Sequence, residues 1–258
     1  MTEPLKSLGL TRLAKVLPTL CEQARQAQLS YEAFFQRALE AELEGRYQRA
    51  QARRRRAAHL PTPKSLAAFD FPYQPTLSEP LVRELAGLGF IQTATNLLLL
   101  GPPGVGKTHL ALALTDLALE AGYSARFVTL RQLAEDLDTV TWRQQLRRSI
   151  QPHVLVIDEM GYVRLSAQQS QQFFEVVTAR YEKGPIILTS NRSFAEWGAL
   201  LGDEVLATAL LDRLLHHAEV LTINGRSYRM KDRLELTTAA EKKRGQDHTA
   251  VGALPRSV

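Results

Sequence analysis

Apolar residues recur along this chain in two rhythms. Leu13, Val16, Leu17 and Leu20 fall at helical spacing within residues 11–27, and Tyr31, Phe34, Phe35, Ala38, Leu39 and Leu43 do so within 31–56. The spacing predicts two helices, the second with one buried stripe and Ser30 as its N-cap. Pro18 is expected to kink or split the first, since proline lacks an N–H and crowds the preceding turn. Residues 60–80 carry five prolines, at 61, 63, 72, 75 and 80, and read as a linker or an ordered arm. Beyond them, short apolar runs at 96–100, 125–130, 153–157, 186–190 and 219–223 alternate with amphipathic stretches at 107–121, 131–138, 142–150, 166–182 and 203–216. That alternation predicts an α/β core, a five-stranded parallel sheet between helices. From about 238 the chain is polar, with Glu241-Lys242-Lys243-Arg244, and a disordered tail is expected. The division is therefore 1–60 helical, 61–80 arm, 81–237 core and 238–258 tail.

Composition narrows the class. At 45% apolar and 23% charged the chain is ordinary globular material. Its densest apolar cluster, Leu97–Leu100, is far short of the ~20 residues that cross a bilayer, and its first residues lack the layout of a secretory signal. Cys21 is the only cysteine, which precludes an internal disulfide and favours a reducing, cytoplasmic setting. No cysteine–histidine set marks a structural zinc. His216-His217 lacks acidic partners at ligand spacing and is expected to pack and solvate. Trp142 and Trp197 are expected to anchor the core. Charge is unevenly placed: residues 1–60 hold 11 Lys and Arg against 6 Asp and Glu, and the rest balances. Such asymmetry is expected of a module for nucleic acid or an acidic partner.

Gly101-Pro102-Pro103-Gly104-Val105-Gly106-Lys107-Thr108 matches the P-loop pattern at every fixed position, between an apolar run and a helix beginning near His109. Its glycines let consecutive N–H groups turn toward phosphate oxygens, and the helix N-terminus adds partial positive charge. Lys107 would reach the β- and γ-phosphates of ATP, and Thr108 would ligate Mg²⁺. Val154-Leu155-Val156-Ile157 then delivers Asp158 and Glu159 to the carboxyl end of a strand, where ligands bind in such sheets. Asp158 would share the Mg²⁺ with Thr108, and Glu159 would activate a water for attack on the γ-phosphate. Asn191, closing Ile186–Ser190, is either a turn residue or the amide that positions that water. Arg213 is either a surface ion-pair partner or a finger reaching a neighbouring subunit's phosphate.

Together these residues resemble the AAA+ ATPases, and more closely the IstB-type helper ATPases of bacterial transposons, kin to the DnaC-type helicase loaders. The resemblance spans nearly all of 1–235. Its motifs are GPPGVGKTHLA, VLVIDEMGY, ILTSNRSFAEW and ALLDRLLHHAEVLTINGRSYR. It implies catalytic roles for Lys107, Glu159, Asn191 as the sensor amide and Arg213 at the finger position. It also implies that Phe69-Asp70-Phe71 leads into the adenine pocket. The family acts as an ATP-dependent oligomer on duplex DNA that stimulates a transposase, so DNA, transposase and self-association are the expected partners and the nucleoid the expected site of action. About 35 residues follow the last apolar run, too few for a four-helix lid with its own sensor arginine. A helicase loader is the nearest alternative. A small-molecule kinase is disfavoured, because it needs no hydrolytic base.

With the family acting on DNA, the run Arg53, Arg54, Arg55 and Arg56, with Arg46 and Arg49 a turn or two earlier, is expected to touch phosphates, not base edges. Arg143, Arg147 and Arg148 form a second basic helix for which DNA contact and surface pairing stand level.

Overall fold

The structure, a computed structural model, describes residues 2–230. The expected tail at 238–258 lies outside the described residues. The chain divides into two compact units between His59 and Leu60.

The amino-terminal unit comprises α1 (Thr2–Ser7), α2 (Thr11–Gln26) and α3 (Tyr31–Ala58), with α2 packed against α1 and α3. Ser30 caps α3 by accepting from the Ala33 N–H at 3.2 Å. The expected split at Pro18 does not occur. Helix α2 runs through it unbroken, with the proline on the exposed side and Leu13 and Ala14 buried. The expected buried stripe is also corrected. Ala38 is buried and Phe34 half-buried, but Tyr31 is 94% exposed, Phe35 64%, Leu39 44% and Leu43 64%.

The buried residues of α3 are instead Ala38, Glu42 and Gly45, with Ala58 at its end. A Cβ on Gly45 would stand 2.3 Å from the Arg12 Cβ, so the two helices approach closely there. Glu42 Oε2 accepts the Arg12 and Leu13 N–H groups, each at 2.9 Å. These belong to the first turn of α2, whose own N-cap, Leu10, offers no side-chain acceptor. Oε1 of the same carboxylate accepts from Arg46 at 3.2 Å and Arg49 at 2.9 Å. Burial raises the Glu42 pKa, but the hydrogen bonds from Leu13, Arg49, Arg46 and Arg12 outweigh it, so the group is held below the ordinary glutamate range.

The four-arginine run lies on the last turns of the same helix, and its members are not equivalent. Arg53 and Arg56 are exposed, whereas Arg54 and Arg55 are half-buried. Four consecutive residues of an α-helix sweep about 300° around its axis, so they cannot all share one face.

In the second unit an arm with one 3₁₀ turn (66–68) leads into α4 (Glu79–Leu85) and α5 (Gly89–Gln92). Five parallel strands follow: β1 (Asn96–Leu100), β2 (Ala125–Thr129), β3 (Val154–Met160), β4 (Ile186–Ser190) and β5 (Ala218–Thr222), ordered β2-β3-β4-β1-β5. Between them lie α6 (Lys107–Glu120), α7 (Leu130–Leu137), α8 (Trp142–Ile150), α9 (Ala167–Arg180), α10 (Trp197–Leu201) and α11 (Glu204–His216). Leu98, Leu155, Ile157, Ile186 and Leu188 pack with α7, α9 and α11 on one face. Alternation turns Leu97, Leu99, Val156 and Ile187 to the other face. With both faces covered, the strands read as unbroken apolar runs.

Trp197 is fully buried in this core, as expected. Trp142 is only half-buried, because α8 lies at the surface, and the Arg143 guanidinium stands 5.7 Å from its ring centre. Buried Arg180 donates to the carbonyls of Ser149, Pro152, His153 and Pro185, tying the end of α8 to the starts of β3 and β4. Burial lowers its pKa to about 10.

Candidate nucleotide site

The strand order sets the site. Because β4 lies between β3 and β1, the carboxyl ends of all three converge, bringing the P-loop after β1, the acids of β3 and the polar end of β4 to one place. They border a cavity of about 380 Å³.

The loop 101–106 needs its glycines for space as well as conformation. Gly106 sits at φ 104° as the N-cap of α6, and a Cβ there would come within 2.6 Å of the Phe69 ring. Lys107 curls over the loop and donates to the carbonyls of Gly101 at 2.7 Å and Pro102 at 2.8 Å. Burial lowers its pKa, Asp158 opposes that shift and Arg229 adds to it. Thr108 Oγ1 donates to Asp158 Oδ1 at 3.0 Å and Oδ2 at 3.1 Å.

The two acids are presented differently. Asp158 is buried at the end of the β2–β3 pairing and also accepts from the Thr189 hydroxyl. That hydroxyl in turn accepts the Glu159 N–H at 3.1 Å. Between Ile157 and Met160 the β3–β4 register shifts, and Glu159 occupies the left-handed region at φ 63°. A bulge at this point breaks the two-residue alternation and re-aims one side chain. Buried Asp158 and buried Met160 therefore flank an exposed Glu159, which borders the cavity. A left-handed glutamate costs free energy, and such strain concentrates at functional sites. Asn191, just past β4, also borders the cavity, and its Oδ1 lies where a Cβ on Gly161 would be, 2.2 Å away.

The remaining wall joins two segments distant in sequence. The arm meets the segment after β5 through Gln74 Nε2 donating to the Arg226 carbonyl at 2.9 Å and Asn224 N–H donating to Thr76 Oγ1 at 2.9 Å. Tyr228 N–H then donates to the Gly104 carbonyl at 2.9 Å. Phe69 and Asp70 border the cavity beside His109, whose Nε2 donates to the Ser65 carbonyl at 2.9 Å and whose ring meets that of Phe69 edge-on.

A chain with this site is similar to known proteins along nearly its whole length. Residues 3–236 match the family of IstB-like ATP-binding proteins. The chain belongs to that family. It is 45% identical over 233 residues to the proposed ATP-binding protein of insertion sequence IS21 from Pseudomonas aeruginosa, covering 89% of this chain and 88% of that one. It is 42% identical to the corresponding IS5376 protein of Geobacillus stearothermophilus, covering 88% of this chain and 92% of the relative. The crystal structure of DnaI shares the fold, with a TM-score of 0.53 and 20% identity over 67% of this chain and 92% of that one. The core is thus AAA+ in architecture, as the motifs of this IstB-like chain imply.

The structure gathers Pro103, Gly104, Val105, Gly106, Lys107, Thr108, His109, Asp158, Glu159 and Asn191 around one cavity. Gly101 and Pro102 contribute through the carbonyls that hold Lys107. Arg213 is elsewhere. Its guanidinium lies over the Phe174 ring at 4.3 Å and donates to the Thr178 hydroxyl, both on α9. Arg46 and Arg49 are the partners of Glu42, which limits what they can offer a phosphate. Arg53, Arg56, Arg143, Arg147 and Arg148 are open to solvent, and Arg54 and Arg55 only partly so.

Sequence reasoning missed Thr189, whose only signal was a hydroxyl inside an apolar strand. It also missed Arg229, which no arginine near the acids in sequence foreshadowed. Arg229 borders the cavity because Ser227-Tyr228-Arg229 folds back on the P-loop after β5.

Proposed function

We propose that this IstB-like chain hydrolyses ATP with Mg²⁺, assembles on duplex DNA in its ATP-bound form, and there recruits and stimulates the transposase of its element. What carries the reading is the division of labour between adjacent acids, with Asp158 fixed by two threonine hydroxyls and Glu159 aimed into the cavity by a bulge. A buried carboxylate beside a hydroxyl at the P-loop is the oxygen donor set that suits Mg²⁺, so Thr108 and Asp158 would hold the ion. The chemistry an ion held by Thr108 and Asp158 would supply is neutralisation of the negative charge that develops on the phosphates.

The protein's own groups supply the rest. Lys107 and the α6 N-terminus hold the phosphates, Glu159 takes a proton from the attacking water, and Asn191 orients that water. Arg229 adds positive charge from the same chain, in the place of a lid arginine. Arg213 lies off its own chain's cavity wall, which supports a finger role toward an adjacent subunit. Subunits lacking Lys107 but carrying Arg213 should then restore hydrolysis to Arg213→Ala subunits. Co-assembled mixtures no more active than the separate variants would exclude this shared site.

The bared stripe of α3 is the kind of apolar surface that marks association, and the exposed arginines of α3 and α8 support DNA contact through phosphates. Similarity to insertion-sequence proteins over nine-tenths of the chain favours a transposition helper over a helicase loader. The test is ATP-dependent assembly on duplex DNA followed by capture of partners. The transposase of the same element should be retained with ATP and lost in Lys107→Ala. Retention of the replicative helicase in its place would assign the loader role.

A further inference from the structure

His216 ends α11 and His217 follows it, while Glu182 lies in the turn between α9 and β4. The fold brings these sequence-distant residues together. His217 Nε2 stands 3.5 Å and His216 Nδ1 3.9 Å from Glu182 Oε1, and all three ligand atoms lie within 4.8 Å of one another. The two imidazole rings are 4.2 Å apart, centre to centre. The pair lacks acidic partners at ligand spacing along the chain, and the fold supplies one in Glu182. Spacing along the chain could not reveal it, because Glu182 reaches the pair across the fold.

We propose that Glu182, His216 and His217 form a binding site for Zn²⁺ or a similar transition-metal ion, separate from the nucleotide site. Two imidazoles and one carboxylate are a set that zinc accepts, leaving a fourth position open. Ligands about 2.0–2.2 Å from a tetrahedral ion stand roughly 3.3–3.5 Å from one another, so the observed separations close with small side-chain rotations. The carboxyl end of α11 also favours a cation, since its last carbonyls carry partial negative charge. Glu182 takes a left-handed backbone at φ 57°, which holds its carboxylate in the turn facing the histidines. Tyr181 Oη lies 2.8 Å from His216 Nδ1 and would move aside when that nitrogen takes the metal. A bound ion would staple the end of α11 to the α9–β4 turn, a single helical turn beyond Arg213.

The experiment is calorimetric titration of the full chain with zinc chloride, nucleotide-free and with excess Mg²⁺ to occupy the oxygen site at Asp158. One equivalent should bind per chain. Glu182→Gln, His216→Ala and His217→Ala should each weaken binding tenfold or more, while His59→Ala, Cys21→Ser and Tyr181→Phe should not. Cobalt bound to the wild type should show tetrahedral d–d absorption without a thiolate charge-transfer band, and that spectrum should vanish in His217→Ala. Circular dichroism of the three variants should match the wild type. No zinc binding, binding indifferent to all three substitutions, or binding abolished by Cys21→Ser would overturn the proposal.

Discussion

In the second unit Leu97, Leu98 and Leu99 of β1 are wholly buried between helices, whereas α3 of the first leaves Tyr31, Phe35, Leu39 and Leu43 in solvent. Both segments are rich in large apolar residues, so the difference lies in what covers them. A central strand of a parallel sheet is enclosed on both faces. A helix in a hairpin buries only the line along which its partner approaches, and close approach selects small residues such as Ala38 and Gly45. Large apolar residues thus report burial in the first setting and available surface in the second.

Core substitution should separate the two regions most. Phe173→Ala, at a site 1% exposed, should cost about 3–5 kcal/mol, and Phe35→Ala should stay within about 0.5 kcal/mol. Urea unfolding of both variants checks this. An equal loss at Phe35 would mean that the stripe of α3 is covered in solution.

Acid should act on the first unit through Glu42. Its folded pKa lies below its unfolded one, so its stabilisation is complete above the ordinary glutamate value and is lost as pH falls below that value and through the folded pKa. Helix content of the isolated residues 1–59 followed by circular dichroism from pH 7 to pH 3 should fall in that window, and the fall should be absent in Glu42→Gln. An identical acid transition in the variant would remove Glu42 from the account.

The basic patches sharpen the comparison further. Neutralising Arg53, Arg54, Arg55 and Arg56 together should reduce the log–log salt slope of duplex binding by about 0.9 for each phosphate that is no longer neutralised. The exposed pair Arg53 and Arg56 should account for more of that reduction than the half-buried Arg54 and Arg55. Neutralising Arg143, Arg147 and Arg148 should lower the slope only if α8 also lies on the DNA. An unchanged slope in both sets of variants would exclude phosphate contact by either patch.

Legibility followed the same divide. The strands of the second unit and its helices α6 to α9 and α11 fall within two residues of their sequence expectation, except that β3 continues through its bulge to Met160, whereas the short helices α4, α5 and α10 have no counterpart among the expected elements. Enclosed runs bounded by turns announce their own ends. The site was legible where a motif is local, as in the P-loop and the acid pair. Features made by chain return were not, because nothing near Asp158 signals Thr189 or Arg229, and nothing near His216 signals Glu182. In the first unit, periodicity located a stripe but could not say which face meets a partner.

The central claim is that Asp158 grips and Glu159 hydrolyses. Its most direct test measures nucleotide affinity and turnover together in Glu159→Gln, with DNA present. Affinity for ATP and Mg²⁺ should stay within about twofold of wild type, because Thr108, Lys107 and Asp158 are untouched. Turnover should fall by at least ~10²-fold, the lower end of what a positioned acid–base group contributes. Wild-type turnover in Glu159→Gln would contradict the account.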